Sequence, residues 1–379
     1  MKMNALRPSI FASTLAVVLV LSSVLSYGST AVCTNPFQGV DGADSVSQLI
    51  RSNAAHYWTF AVKAAKSTEM RPFAKYEGIV VGDPHLGNFS VVPVRFASGR
   101  WAMKFVDIDF DDAGRGSFAM DFARLVITIK AADGDIKIKD VLEAYVSGLN
   151  GETIEAPKKV EKALDLTKAE FQELEDEFVD KKVRDGKFKL KEEKLEKYSA
   201  KYAKKSIVAL FPGETVVDIA TRPNERGGSA DAVRIWVLVK DPSGGLRVDE
   251  IKGYETPAVA KFSAQPEIQT WYREVQSTLW QGLSDSEYKL VTLEGDPVWL
   301  RSKKVTLIDV PYGLSSAKKK EFVSDLSLFD ANHLGLLHGA QASAKPYAAA
   351  ISEDPDAFRA AIKTVTRPYL KKAEDKLED

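Results

Sequence analysis

A single cysteine, Cys33, stands in 379 residues. No intramolecular disulfide can form, so the fold must stand on its apolar core, and a metal–thiolate cluster is excluded as well. Histidine is scarce too, with four in the chain. His333 and His338 fall five apart in a helical stretch and do not share a face, which speaks against a zinc site. No G-x-S-x-G, H-E-x-x-H or C-x-x-C occurs, leaving serine-hydrolase and zinc-protease readings without support. Neither charge is in surplus: 52 Lys and Arg against 53 Asp and Glu give a net charge of -1, so there is no basic footprint for nucleic acid. Beyond the N-terminus no run is long and apolar enough to span a bilayer.

Apolar residues are ample at 45%, enough for one large domain or two lobes. The N-terminus reads as a secretory signal: basic MKMNALR, uncharged IFASTLAVVLVLSSVLSY, then GSTAVC with small Ser29 and Ala31 set for cleavage after Ala31. The expected product is exported, periplasmic or extracellular, with no membrane span after cleavage. An uncleaved N-terminal anchor is the alternative, and a lipoprotein reading through Cys33 is opposed by Val32.

Hydrophobic spacing divides the rest. Residues 32–156 open with helices, pass through the strand-like KYEGIVV, FSVVPVRF and RWAMKFVDIDF, and return to helices at SFAMDFARLVITIKAA and DVLEAYVSGLNG. Residues 157–205 are rich in Lys and Glu at helical spacing and predict a solvated helix pair. Residues 206–312 alternate in strand fashion between turn-forming NERGGSAD and DPSGG. Residues 313–379 are helical again. Helix and strand mix without regular βαβ alternation, which predicts an α+β fold.

Two loops carry candidate chemistry: GDPHLGN at 82–88 and VDIDFDDAGRG beginning at Val106. Phosphoryl transfer needs a carboxylate near the attacking hydroxyl, oxygen ligands for magnesium and cations on the phosphates. Asp83 would orient and deprotonate the acceptor, while Asn88 and Asp109 would hold Mg2+. Asp107, Asp109 and Asp111 alternate on one strand face, where three carboxylates call for a cation or donors. Each residue has an ordinary alternative: Asp83 as a turn cap, Asp107 as a loop anchor, His85 packed inward on backbone, and Asp121 receiving hydrogen bonds from the loop, capping a helix or pairing with Arg124.

GDPHLGN resembles the H-G-D-x-H-x-x-N catalytic loop of aminoglycoside phosphotransferases and choline-kinase-like enzymes, and VDIDFDDAGRGSFAMDFARL resembles their metal loop. The chain is also similar to an uncharacterised bacterial group, domain of unknown function 2252, through GDPHLGNF, DFDDA and GSFAMDFARL, with Asp112 and Met120 departing from its pattern. The resemblance implies a two-lobed protein-kinase-like fold binding Mg2+ and ATP. No strand–glycine loop–strand precedes Asp83. The nucleotide lobe would therefore be circularly permuted to follow the catalytic loop, with Gly227, Gly228, Ser229, Lys252 and Arg301 as nucleotide contacts. Asp231 and Gly253 depart from the related group's glycine loop and lysine motif. Each contact has its alternative: a plain hairpin turn, a strand lysine in solvent, a surface basic cluster.

The expected activity is transfer of a phosphoryl group from Mg-ATP to a hydroxyl of a small molecule or surface group. The alternatives are an exported pseudokinase that binds without turnover, metal-assisted phosphate ester hydrolysis, and adenylyl transfer.

Overall fold

The computed structural model describes Phe37 and residues 43–96, 100–132, 135–199, 201–223, 232–283, 288–310 and 316–378. The signal-peptide reading and the glycine loop with Gly227, Gly228 and Ser229 lie outside these residues. The architecture is mixed α+β with small antiparallel sheets. Among the described residues no helix is long and apolar enough to cross a membrane.

The helical part is built around Phe118–Ala132, whose residues from Phe118 to Ile129 are all buried. Such a helix, apolar nearly all round, needs cover on every side. Val46–Arg51, Pro355–Glu378 and Ala317–Gly339 pack on it. Ala317–Gly339 in turn lies against Ile138–Leu149. Their backbones approach closely at Gly148 and Gly335, where an added Cβ would sit 2.0 Å from the Asn332 carbonyl oxygen and 2.2 Å from that of Tyr145.

Six antiparallel strands form the main sheet, in the order Tyr288–Leu293, Asp296–Ser302, Leu246–Gly253, Arg234–Lys240, Thr215–Thr221, Glu196–Lys197. The period of two along Arg234–Lys240 divides its side chains. Ile235, Val237 and Val239 join a cluster with Tyr202 and Phe211. Trp236 and Leu238 join another with Phe188 and Leu195. Both faces are thus covered, which explains why the strand is apolar at consecutive positions.

The solvated helix pair expected over 157–205 is only half formed. Lys158–Leu164 and Lys168–Lys182 are helices, the second closed by a Thr167–Glu170 capping box. Among its described residues the KLKEEKLEKYSAKYAKK stretch is not helical until Lys204–Val208. Asp185 (φ 52°) and Gly186 (φ 69°) turn a hairpin, a left-handed pair typical of Asp-Gly. Phe188 and Leu195 are then drawn onto the sheet beside Trp236, and Glu196–Lys197 adds its last strand. Burial of these apolar residues outweighs the helix preference of the intervening lysines and glutamates.

Ile268–Leu279 is a helix the sequence reading passed over. It is capped by Glu267, and its buried Trp271, Val275 and Leu279 recur every fourth residue. It fixes the acidic loop: Trp271 Nε1 donates to the Ala113 carbonyl and, just past the helix, Trp280 Nε1 donates to that of Asp107, each at 2.9 Å.

Candidate functional site

The strand Glu77–Val80 pairs with Gly114–Ser117, and Phe89–Arg95 pairs with Trp101–Asp107. These two ladders bring both sequence motifs to one place. Gly82 makes the join possible: its φ is +82°, and a Cβ there would lie 2.0 Å from the Asp112 carbonyl oxygen. Only glycine takes that conformation freely and leaves room for the second loop. Further links are backbone ones, from Ile108 N to the Asn88 carbonyl at 2.8 Å and from Asn88 N to that of His85 at 2.9 Å.

Asp121 is a brace beneath the first loop. Its carboxylate accepts from Gly82 N at 2.9 Å and Val81 N at 3.1 Å, and it meets His338 Nε2 at 3.2 Å. His338 Nδ1 in turn faces the Tyr145 hydroxyl at 2.8 Å. The expected reach from loop backbone to Asp121 is present. The expected Asp121–Arg124 pair is not: Arg124 instead sends Nε and Nη2 to Asp83 Oδ1 at 3.0 and 2.7 Å. Asp121 is already spent on the loop amides, so the arginine crosses to the other buried carboxylate.

Asp83 is buried, and its Oδ2 lies 3.8 Å from His85 Nε2. His85 accepts from Gly87 N through Nδ1 at 3.0 Å, which places its proton on Nε2. Burial, opposed by Asp83, pushes the imidazole down to about 4. His85 is therefore neutral at pH 7 and folds inward on backbone. Asn88 donates through Nδ2 to the Asp83 carbonyl at 2.9 Å, leaving Oδ1 as its ligating atom.

The acidic run does not continue as a strand. Pairing stops at Asp107, and Phe110–Asp112 is a 3-10 turn, so the expected alternation of Asp107, Asp109 and Asp111 on one strand face breaks after its first member. Cations meet the carboxylates instead. Lys252 Nζ contacts Asp111 Oδ2 closely and lies 3.7 Å from Asp109 Oδ1. Arg301 Nη1 reaches the same Asp109 oxygen at 3.0 Å. Lys252 and Arg301 come from the neighbouring strands Leu246–Gly253 and Asp296–Ser302, and Lys252 is 2% exposed, so the solvent-lysine alternative is excluded.

These contacts set the charge states. Burial alone would raise Asp109, but Lys252 and Arg301 outweigh it and hold the carboxyl well below its ordinary range. Burial and the charge of Asp109, opposed by Lys252, push Asp111 up to about 6. Asp107 is raised by burial; Oδ1 accepts from Asp109 N at 3.1 Å, while Oδ2 is buried with no hydrogen-bond partner.

Glu250 is a member the sequence reading missed. It is fully buried, accepts from Arg301 Nε at 2.9 Å and from Trp236 Nε1 at 3.2 Å, and lies 3.6 Å from Arg234. A signal was present: Glu250 and Lys252 continue the buried face begun by Val248, and charged residues there need partners. Lys303 was missed likewise. Burial, opposed by Glu250, lowers its ammonium to about 8.

A cleft of about 200 Å³ opens between the two sets, lined by Gly87, Asn88 and Asp109 on one side and Tyr288, Arg301 and Lys303 on the other. Asp83 does not line it. Among the described residues, no three His, Cys, Asp or Glu side chains are gathered to hold a metal ion by themselves. Magnesium asks less, taking one or two carboxylates and sharing its remaining positions with phosphate and water. Asp109 and Asn88 at the cleft wall, with the unpartnered Asp107 oxygen behind them, fit that demand. The chain matches no family model, no curated protein and no solved structure.

Proposed function

We propose that this chain is a magnesium- and ATP-dependent phosphotransferase of kinase-like, circularly permuted two-lobed architecture, acting on an acceptor hydroxyl. One observation carries the reading: Lys252 and Arg301, from strands that follow the acidic loops in sequence, converge on the single oxygen Asp109 Oδ1. Asp109, Arg301 and Lys303 line one cleft, with Lys252 reaching Asp109 from outside the lining, and cations and a carboxylate so placed are the parts a polyphosphate–metal ligand requires. Magnesium held by Asp109 and Asn88 would neutralise charge on the phosphates. Lys252, Arg301 and Lys303 would bind the phosphate oxygens and give up their present carboxylate partners to do so. Arg124 would fix Asp83 so that Oδ2 is the atom left to take the acceptor proton.

Calorimetry with Mg-ATP, followed by a labelled-phosphate transfer screen, tests this. The parent is expected to bind ATP only with magnesium and to transfer label. Asp109→Asn should lose the magnesium dependence, and Asp83→Asn, which keeps an oxygen for Arg124, should keep binding and lose transfer. Absence of magnesium-dependent nucleotide binding in the parent overturns the reading. A labelled adenylyl product in place of phosphoryl would reassign the reaction.

A second reading, an exported pseudokinase, is favoured by the Asp83–Arg124 pair, which occupies the candidate base with two charged hydrogen bonds. Magnesium-dependent binding with no transfer to any acceptor, the protein itself included, would decide for it.

A further inference from the structure

On the helical side of the molecule, away from the acidic loops, a second cleft of about 490 Å³ lies between the Phe118–Ala132, Ile138–Leu149 and Pro355–Glu378 helices. Among the described residues six cations line it, Lys130, Lys137, Lys139, Arg359, Lys363 and Arg367, against one carboxylate, Asp135. Some are spoken for: Lys130 donates to the Ile136 carbonyl at 2.9 Å, Lys139 lies 3.5 Å from Glu143, and Arg359 lies 2.7 Å from Asp356. Among the described residues no ion pair reaches Lys137, Lys363 or Arg367. Like charges gathered this closely repel, and a chain with no overall basic surplus has concentrated them here with fewer carboxylates than cations among the described residues.

Two independent features point the same way. Ile138–Leu149 begins at this cleft, and its N-cap Lys137 makes no side-chain cap hydrogen bond. Asp140 N donates to the Lys137 carbonyl at 3.0 Å, so the amides of Ile138 and Lys139 are the ones left to water or to a ligand; the helix end favours negative charge, part of which Asp140 in the first turn already supplies. Thr366, on the opposite wall, is fully buried, and among the described residues its hydroxyl has no hydrogen-bond partner. A buried hydroxyl left unmatched is costly unless something polar meets it.

We infer that this cleft is a second anion site, separate from the Asp109 cleft, and that it takes a multiply charged phosphate-bearing ligand. Lys137, Lys363 and Arg367 supply charge-assisted hydrogen bonds, and the helix start supplies its amides. The phosphate can belong to a small free anion or to the headgroup of an anionic lipid.

The test uses the full chain in two arms. Inorganic pyrophosphate without added magnesium is titrated by calorimetry into the parent and a Lys363→Ala, Arg367→Ala double variant. The same proteins are sedimented with vesicles of phosphatidylglycerol in phosphatidylcholine. Both side chains are partly or fully exposed, so the melting temperature should be unchanged. The double variant is expected to bind at least about tenfold more weakly in one of the two arms, while Lys303→Ala keeps that binding. Loss in the pyrophosphate arm marks a free anion, and loss in the vesicle arm a headgroup. If neither ligand binds the parent, or if the double variant binds as well as the parent, the second site does not exist. The outcome is independent of nucleotide binding at Asp109.

Discussion

Arg124 and Asp83 form a buried ion pair, with one carboxylate oxygen taking both Nε and Nη2 of a fully buried guanidinium. The same guanidinium also donates to the Ile50 carbonyl at 2.7 Å, tying the first helix to the catalytic-loop candidate. Removing one member of such a pair strands the other. Arg124→Leu is expected to cost about 3–5 kcal/mol of folding stability, read by urea denaturation. A loss under about 1 kcal/mol would show that the pair does not organise the loop.

The crossing of Ile138–Leu149 and Ala317–Gly339 depends on having no side chain at Gly148. With Asn332 backbone 2.0 Å from the would-be Cβ, Gly148→Ala must push two helices apart. A destabilisation of about 1–3 kcal/mol follows from overpacking, visible as a lower melting temperature. An unchanged melting curve would mean that the helices separate without cost.

His85 should titrate late. Its folded value of about 4, against an ordinary 6.5, means the unfolded chain takes up the proton first as pH falls. Stability from the neutral ring is complete above about 6.5 and is lost as pH drops through 4, worth roughly 3 kcal/mol. NMR titration of the His85 ring reads this directly. A midpoint near 6.5 would contradict the buried, backbone-bound placement.

Lys303 gives the cleft a pH dependence in the opposite range. Its ammonium, lowered by burial to about 8 from an ordinary 10.5, is charged at neutral pH and discharged above 8. For stability, the burial penalty weighs on the charged form, so Lys303 costs stability below 8 and the cost is relieved as pH rises from 8 to 10.5. For binding the sign reverses. Nucleotide affinity should fall several-fold between pH 7 and 9, and Lys303→Met should bind weakly at both. A parent affinity flat across that interval would remove Lys303 from the phosphate contacts.

Local pattern made much of this legible. The strand–turn reading of KYEGIVV and GDPHLGN, the FSVVPVRF and RWAMKFVDIDF hairpin and the helix at SFAMDFARLVITIKAA all appear in the structure, because hydrophobic period and turn residues act over a few positions. Partner choice was not legible. The loop amides reach Asp121 as its position suggested, but Arg124, one helical turn on and read as its partner, goes to Asp83 instead. Three aspartates in alternation read as a metal face, yet a 3-10 turn and two distant cations rearrange them.

The sequence by itself determined that no intramolecular disulfide holds this chain, that helices and strands mix without βαβ order, and which two loops carry the acidic side chains of the candidate site. Those follow from composition and short-range spacing. Tertiary structure alone decided that Lys252 and Arg301 meet Asp109, that Glu250 is buried beneath them, and that six cations gather at a helix start on the far helices. Charges separated by a hundred residues or more are brought together only by burial of the apolar surfaces that carry them, and that burial is a property of the whole packed core.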